Sequence, residues 1–233
     1  MDKGNSISNL ILSKKPSEFT RNTVVNSIYK VCLWSAGPLL IVLIMSVGIM
    51  IIFSSARFTE ITNNGVLYTL ISLTMPTFIC MAAIPVSYLI KYRIPFHKIY
   101  IGFVHNKQNV FVLAICAAVC FICIVYTGTI SSYSATFWLL LIHFFCIGLS
   151  EEILARGMIA YYLREIFSES ITIVVSALIF AFVFHSNADV VTNLIVRFPL
   201  GLLFGYMTEK TKSIYPAVLI HWGYDIIVTF SSM

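Results

Sequence analysis

The chain has 233 residues, 59% of them hydrophobic and only 11% charged, with a mean hydropathy of +0.91. Soluble domains carry about a quarter charged residues, so this composition excludes an ordinary soluble domain and predicts an all-α, polytopic membrane helical bundle. The formal net charge of +5 is better explained by membrane topology than by nucleic acid, and no nucleic-acid partner is expected.

Residues 1–33 read as a cytoplasmic tail. They are mostly polar, carry Lys3, Lys14, Lys15, Arg21 and Lys30, and lack the early apolar run of a cleavable signal peptide. The first spanning helix is expected over 34–54. A short loop with Arg57, Glu60 and Asn63-Asn64-Gly65 leads to a second helix over 67–90, with kinks at Pro76 and Pro85. Residues 91–108 form a basic connector whose tyrosines and phenylalanines suit the membrane interface. His97 and His105 in it are read as interfacial.

The third helix is expected over 109–127, followed by an uncharged turn. The fourth starts near Ala135 and runs on to Phe167, the fifth covers about 170–185, the sixth 190–207 and the seventh 213–231. With the N-terminus inside, nearly every Lys and Arg falls on that side, and Arg57 alone lies opposite. Excess Lys and Arg mark cytoplasmic loops, so about seven transmembrane helices in an N-in/C-out arrangement follow. The six cysteines, in or beside apolar runs, read as small buried hydrophobes.

Ionisable groups are rare in the three helices of residues 34–134, which read as scaffold. They are concentrated in residues 135–231. There Glu151 and Glu152 are followed by Arg156, and further polar spots occur at His185, at Arg197, and at His221 with Asp225. Charges are costly in hydrocarbon, so such residues face a protein interior or a water-filled cavity. Glu152 and Arg156 share a helical face and can pair. Glu151, about 100° away, has no such local partner. His221 and Asp225 also share a face, where the aspartate can fix the imidazole tautomer or help to stabilise developing charge. His143 is read as structural, and Arg197 as pairing with an acid or snorkelling.

A carboxylate and two histidines around one cavity can activate water for hydrolysis. Glu151, His185 and His221 could instead hold zinc with an open position. The residue pattern alone does not separate these versions. No serine sits in a sequence-local nucleophile motif, and no HExxH is present.

Glu151-Glu152-Ile153-Leu154-Ala155-Arg156 and His221-Trp222-Gly223-Tyr224-Asp225 resemble the Glu-Glu-x-x-x-Arg and His-x-x-x-Asn/Asp motifs of the CPBP family, the CAAX-protease and bacteriocin-processing (Abi) enzymes. The family's Phe-x-x-x-His motif is matched only in part, because Ala181 stands where the phenylalanine belongs and Phe180 and Phe182 flank it. The segments Phe198–Tyr206 and Ser213–Ala217 are also similar to the family's penultimate helix and final loop. The resemblance covers about 135–230 and implies an intramembrane endopeptidase. Glu151 would activate water with His185, and His221 and Asp225 would help to hold the oxyanion. Glu152 and Arg156 would support the site structurally. It further implies a membrane-associated or lipidated peptide substrate, processed by CAAX-type cleavage, peptide maturation or bacteriocin self-immunity, with membrane lipid as surroundings. The chain's small size and short loops suit a bacterial cell membrane as location. A non-catalytic immunity protein acting by binding, and a small transporter, are the competing readings. Against transport, the two halves show no inverted repeat.

Overall fold

The computed structural model describes residues 21–54, 65–102 and 106–231, and among these residues it is helical with no strand. The expectations for the first twenty residues, for the loop around Arg57 and for His105 lie outside the described residues. Seven rods follow one another in the expected places: α1 (Arg21–Phe53), α2 (Gly65–Lys91), α3 (Lys107–Ile130), α4 (Ala135–Arg164), α5 (Glu169–Phe184), α6 (Val190–Thr211) and α7 (Tyr215–Ser231). Five of them, α1, α2, α3, α4 and α6, are long and apolar enough to cross a membrane. The shorter α5 and the 17-residue α7 reach roughly 25 Å at 1.5 Å per residue, short of a roughly 30 Å hydrocarbon core.

The helix starts are capped by side chains that the sequence supplies. Asn106 accepts a hydrogen bond from the Asn109 amide at 2.7 Å, Ser134 from Phe137 at 3.2 Å and Asp189 from Thr192 at 2.8 Å. Each closes one of the orphan donors of a first turn. The one large departure from expectation is the start of α1, which begins at Arg21 rather than at Trp34. Its added turns are polar on one side, so hydropathy does not reveal them. Their inner face docks on the bundle, where the Ser27 hydroxyl donates to Glu165 at 2.7 Å and Lys30 donates to the Tyr88 hydroxyl at 3.0 Å.

The helix at the centre is α4. Over its most apolar window 56% of the residues are buried, against 6% in α1. Its C-terminal half contributes Leu154, Met158, Ile159 and Leu163, which pack on Trp34 of α1 and on Met81 and Leu89 of α2. Its N-terminal half packs Phe137, Leu140 and Leu141 on Ile226 and Phe230 of α7. In turn α7 lies along α3, and α5 lies along α6. The contact between α5 and α6 depends on Gly201, where an added Cβ would stand 3.1 Å from the Ala177 Cα.

Four of the rods contain π-helical turns: α2 at Leu70–Thr74 and Ile79–Ala83, α4 at Ile153–Ile159, α5 at Phe180–Phe184 and α6 at Asn193–Arg197. The expected prolines of α2 lie beside these widened turns, Pro76 after the first and Pro85 after the second. In α4 the helix passes through Gly157 without breaking, so Glu151 lies thirteen residues, roughly 20 Å, from the Arg164 end. That end gathers the charged residues. Arg164 pairs with Glu209 and donates to the Lys98 carbonyl, and Lys210 and Lys212 pair with Glu169.

Candidate active site

The polar residues of α4 to α7 meet inside the bundle. Glu151 is the last residue but one of the α-helical part of α4, and one of its carboxylate oxygens, Oε2, lies 3.6 Å from His185 Nε2 and 3.8 Å from His221 Nε2. Both separations exceed a direct hydrogen bond and match the span that a bridging water closes. The same oxygen is buried and takes no hydrogen bond from the described residues. Asp225 Oδ2 lies 3.5 Å from the same His221 Nε2.

Behind this group sits Glu152, fully buried. Its Oε1 lies 3.1 Å from His221 Nδ1, and its Oε2 lies 3.3 Å from Arg156 Nε. The second is an ion-pair distance without hydrogen-bond alignment. A carboxylate can only accept, so its contact assigns a proton to Nδ1 and turns Nε2 toward Glu151 and Asp225. The four-residue spacing of His221 and Asp225 allows Asp225 either to fix the tautomer or to stabilise developing charge. The structure gives the Nδ1 contact to Glu152 and leaves Asp225 beside Nε2.

Arg156 is 1% exposed. It donates to the Ser176 carbonyl at 3.4 Å and lies over the Phe180 ring at 4.9 Å. Phe180 is the shared wall of the site: the His185 ring meets it edge-on at 4.9 Å and the His221 ring at 5.6 Å. Phe204 stacks on His221 at 5.0 Å and meets Phe180 edge-on at 6.2 Å. This accounts for the imperfect second motif. In an α-helix a phenylalanine must precede the histidine by four residues to share its face. The turn Phe180–Phe184 is π-helical, with i to i+5 hydrogen bonds, and it brings the residue five before His185 over the ring. Helical periodicity at 3.6 residues per turn does not reveal this role. The available signal was the pair of phenylalanines around Ala181.

Two cavities meet at Glu151 and His185. The smaller, about 160 Å³, is also lined by Arg197, His221, Tyr224 and Asp225. The larger, about 320 Å³, opens among α1, α2 and α4 and is walled by Leu39, Leu73, Met81 and Phe144. His143 lies on this second cavity, buried, with Nδ1 2.6 Å from the Thr74 hydroxyl. Arg197 lies on the first and hydrogen-bonds Asn193 at 3.1 Å. Among the described residues it makes no ion pair, so the expected acidic partner is not found there. Nor do any three His, Cys, Asp or Glu side chains among the described residues converge closely enough to hold a metal ion. All six cysteines are free, and all but Cys32 lie in the buried or half-buried parts of the bundle.

Residues 133–227, which run from the start of α4 into α7 and include Glu151, Glu152, Arg156, His185, Arg197, His221 and Asp225, match the family model described as Rce1-like, type II CAAX prenyl endopeptidase. No curated protein matches the chain, and no solved structure matches it.

Proposed function

Since residues 133–227 of this integral membrane protein match the type II CAAX prenyl endopeptidase model, which supports the CPBP, or CAAX-protease, family, we propose that it hydrolyses a peptide bond near the end of a membrane-associated, lipidated peptide, using water activated by Glu151 and His185. The observation that carries this reading is the placement of one buried carboxylate oxygen of Glu151 within 4 Å of two imidazole nitrogens, on a cavity roughly 20 Å from the charged end of α4.

A water between Glu151 and His185 gives its proton to the Glu151 carboxylate as its oxygen attacks the carbonyl carbon. The carbonyl oxygen becomes an oxyanion. His221 serves it with an N–H on Nε2, while its Nδ1–H stays with Glu152. Asp225 beside Nε2 steadies that N–H. When the C–N bond breaks, Glu151 returns the proton to the leaving amine, so the enzyme ends as it began. Glu152 and Arg156 act by holding His221 and the α4–α5 contact, without touching substrate. Helices α1 and α2 supply the wall through which an apolar chain reaches the larger cavity, and α3 serves as a brace for α7.

The concentration of Lys98, Arg164, Lys210 and Lys212 at one end supports a cytoplasmic location for that end, with N-in and C-out helices. The short connections from α3 to α7 suit a bacterial cell membrane. The test uses purified full-length protein in detergent with a farnesyl-cysteine peptide ending in three apolar residues. Mass spectrometry should find a shortened prenyl peptide and a released C-terminal fragment. An intact peptide after prolonged incubation, at every pH and detergent tried, would remove the reading. A parallel arm with a chelator and metal add-back decides whether zinc takes part.

A further inference from the structure

Arg197 is a charge that the hydrolysis just described does not use. A guanidinium within a membrane helix is costly and needs a reason to be there. The fully buried arginine, Arg156, has Glu152 as its counter-ion. Arg197 makes no ion pair among the described residues, yet it lines the same cavity as Glu151 and His185. It is also held in place. Its Nη1 donates to Asn193 Oδ1 at 3.1 Å, and the buried Asn193 side chain donates onward to the His185 carbonyl at 3.0 Å. The guanidinium is therefore tied to the residue that orients water. Of its five N–H donors, this chain of bonds engages one.

We propose that Arg197, positioned by Asn193, forms a carboxylate-binding subsite that receives the free C-terminus of the peptide being cut. This rests on the peptidase reading above and adds what the site recognises. The charge pattern of the cavity favours it. Glu151 and Asp225 are the acids on its walls; the doubly protonated His221 is already faced by Glu152 and Asp225, which leaves Arg197 as the cation without an ion-pair partner among the described residues. A bound carboxylate is repelled by the acids and drawn to the guanidinium, which takes carboxylates in a bidentate fork. That sets the direction of the chain: the terminus lies toward Arg197, and the apolar, lipid-bearing side lies toward the larger cavity. Size sets the length. A compact cavity of about 160 Å³ is roughly 7 Å across, the reach of about two extended residues at 3.3–3.6 Å each. The fragment beyond the cut bond is then two or three residues long, with the last one at the rim.

A purely electrostatic role for Arg197, offsetting Asp225, would affect all substrates alike, and the test separates the two. Full-length Glu151→Gln protein in detergent is titrated with a labelled farnesyl-cysteine peptide ending in three apolar residues. The peptide is supplied as the free acid, as the C-terminal amide, and as an amide whose last residue is aspartate. The free acid should bind at least about tenfold tighter than the amide, the worth of one charge-assisted hydrogen bond. In Glu151→Gln with Arg197→Gln the acid should fall to the level of the amide. Arg197→Lys, which keeps the charge but loses the fork, should keep part of the preference and guards against a folding defect. An aspartate amide that binds like the plain amide assigns the subsite to the main-chain terminus. One that binds like the free acid overturns that assignment. Equal binding of acid and amide, a preference that survives Arg197→Gln, or no binding of any peptide would overturn the subsite itself. If wild-type protein leaves all three peptides intact while Glu151→Gln still prefers the acid, the hydrolytic reading fails and the subsite stands.

Discussion

Replacing Glu152 by alanine should destabilise the protein and silence the site through two separable contacts. Glu152 is fully buried and Arg156 is 1% exposed, with Oε2 and Nε 3.3 Å apart. Removing the carboxylate leaves the guanidinium buried without a counter-charge, which costs about 3–5 kcal/mol. For a chain of this size, at roughly 2–4 °C per kcal/mol, the melting temperature in detergent should fall by about 6–20 °C. Glu152→Leu combined with Arg156→Met removes both charges and keeps most of the volume. Such replacements are neutral or stabilising by about 1–4 kcal/mol, so the melting temperature should return to near the parental value. Cleavage should not return with it. His221 Nδ1 has lost the acceptor at 3.1 Å that orients the ring, and misplacing a reacting group by about 1 Å costs on the order of 100-fold. Thermal unfolding and peptide cleavage are measured on the same preparations. A single variant that melts with the parent would refute the buried-pair argument. A double variant that recovers cleavage would refute the claim that Glu152 orients His221.

The widened turn of α5 makes its own prediction: Phe180→Ala should cost about 3–5 kcal/mol and sharply reduce cleavage, since that ring touches Arg156, His185 and His221. Phe182→Ala, at a half-buried position outside these contacts, should do much less, and comparable loss from both would count against the π-turn account. Gly201→Val should push α6 off the Ala177 backbone of α5 at a cost of about 1–3 kcal/mol, read as a lower melting temperature. The Asp189 cap at the head of α6 should be pH-dependent. Hydrogen bonds from Thr192, hydroxyl first and then amide, hold its carboxyl below the usual range. Its contribution is therefore complete above the unfolded value of about 3.9 and is lost as pH falls through the lower folded value. Hydrogen exchange at the Thr192 amide should quicken below that pH, and in Asp189→Ala it should be fast at every pH.

The helices were legible because their apolar runs are long and their breaks carry Asn, Ser, Asp and Gly. The docked first turns of α1 were not, because their exposed polar residues hide a face held by Ser27 and Lys30. Within the site, residues four apart on one helix could be paired on paper, and the Glu152–Arg156 contact follows from that spacing. The contacts between helices could not. Nothing local tells that Glu152, rather than Asp225, takes His221 Nδ1, since the two elements are 69 residues apart in the chain. The role of Phe180 was hidden for a different reason: a π turn changes the residue count per turn, and no residue type reports it. Arg197 was visible as an intramembrane charge, but only the packing of α6 against the cavity shows what it faces.

The most direct measurement is single-turnover cleavage of the farnesylated peptide by purified Glu151→Gln, scored by mass spectrometry beside its melting curve and peptide affinity. Loss of the group that takes the proton from water should slow cleavage by at least about 100-fold, while fold and binding stay at parental levels. A correctly folded Glu151→Gln protein that cuts the peptide as fast as the parent would contradict the assignment of Glu151, and with it the chemistry built on this cavity.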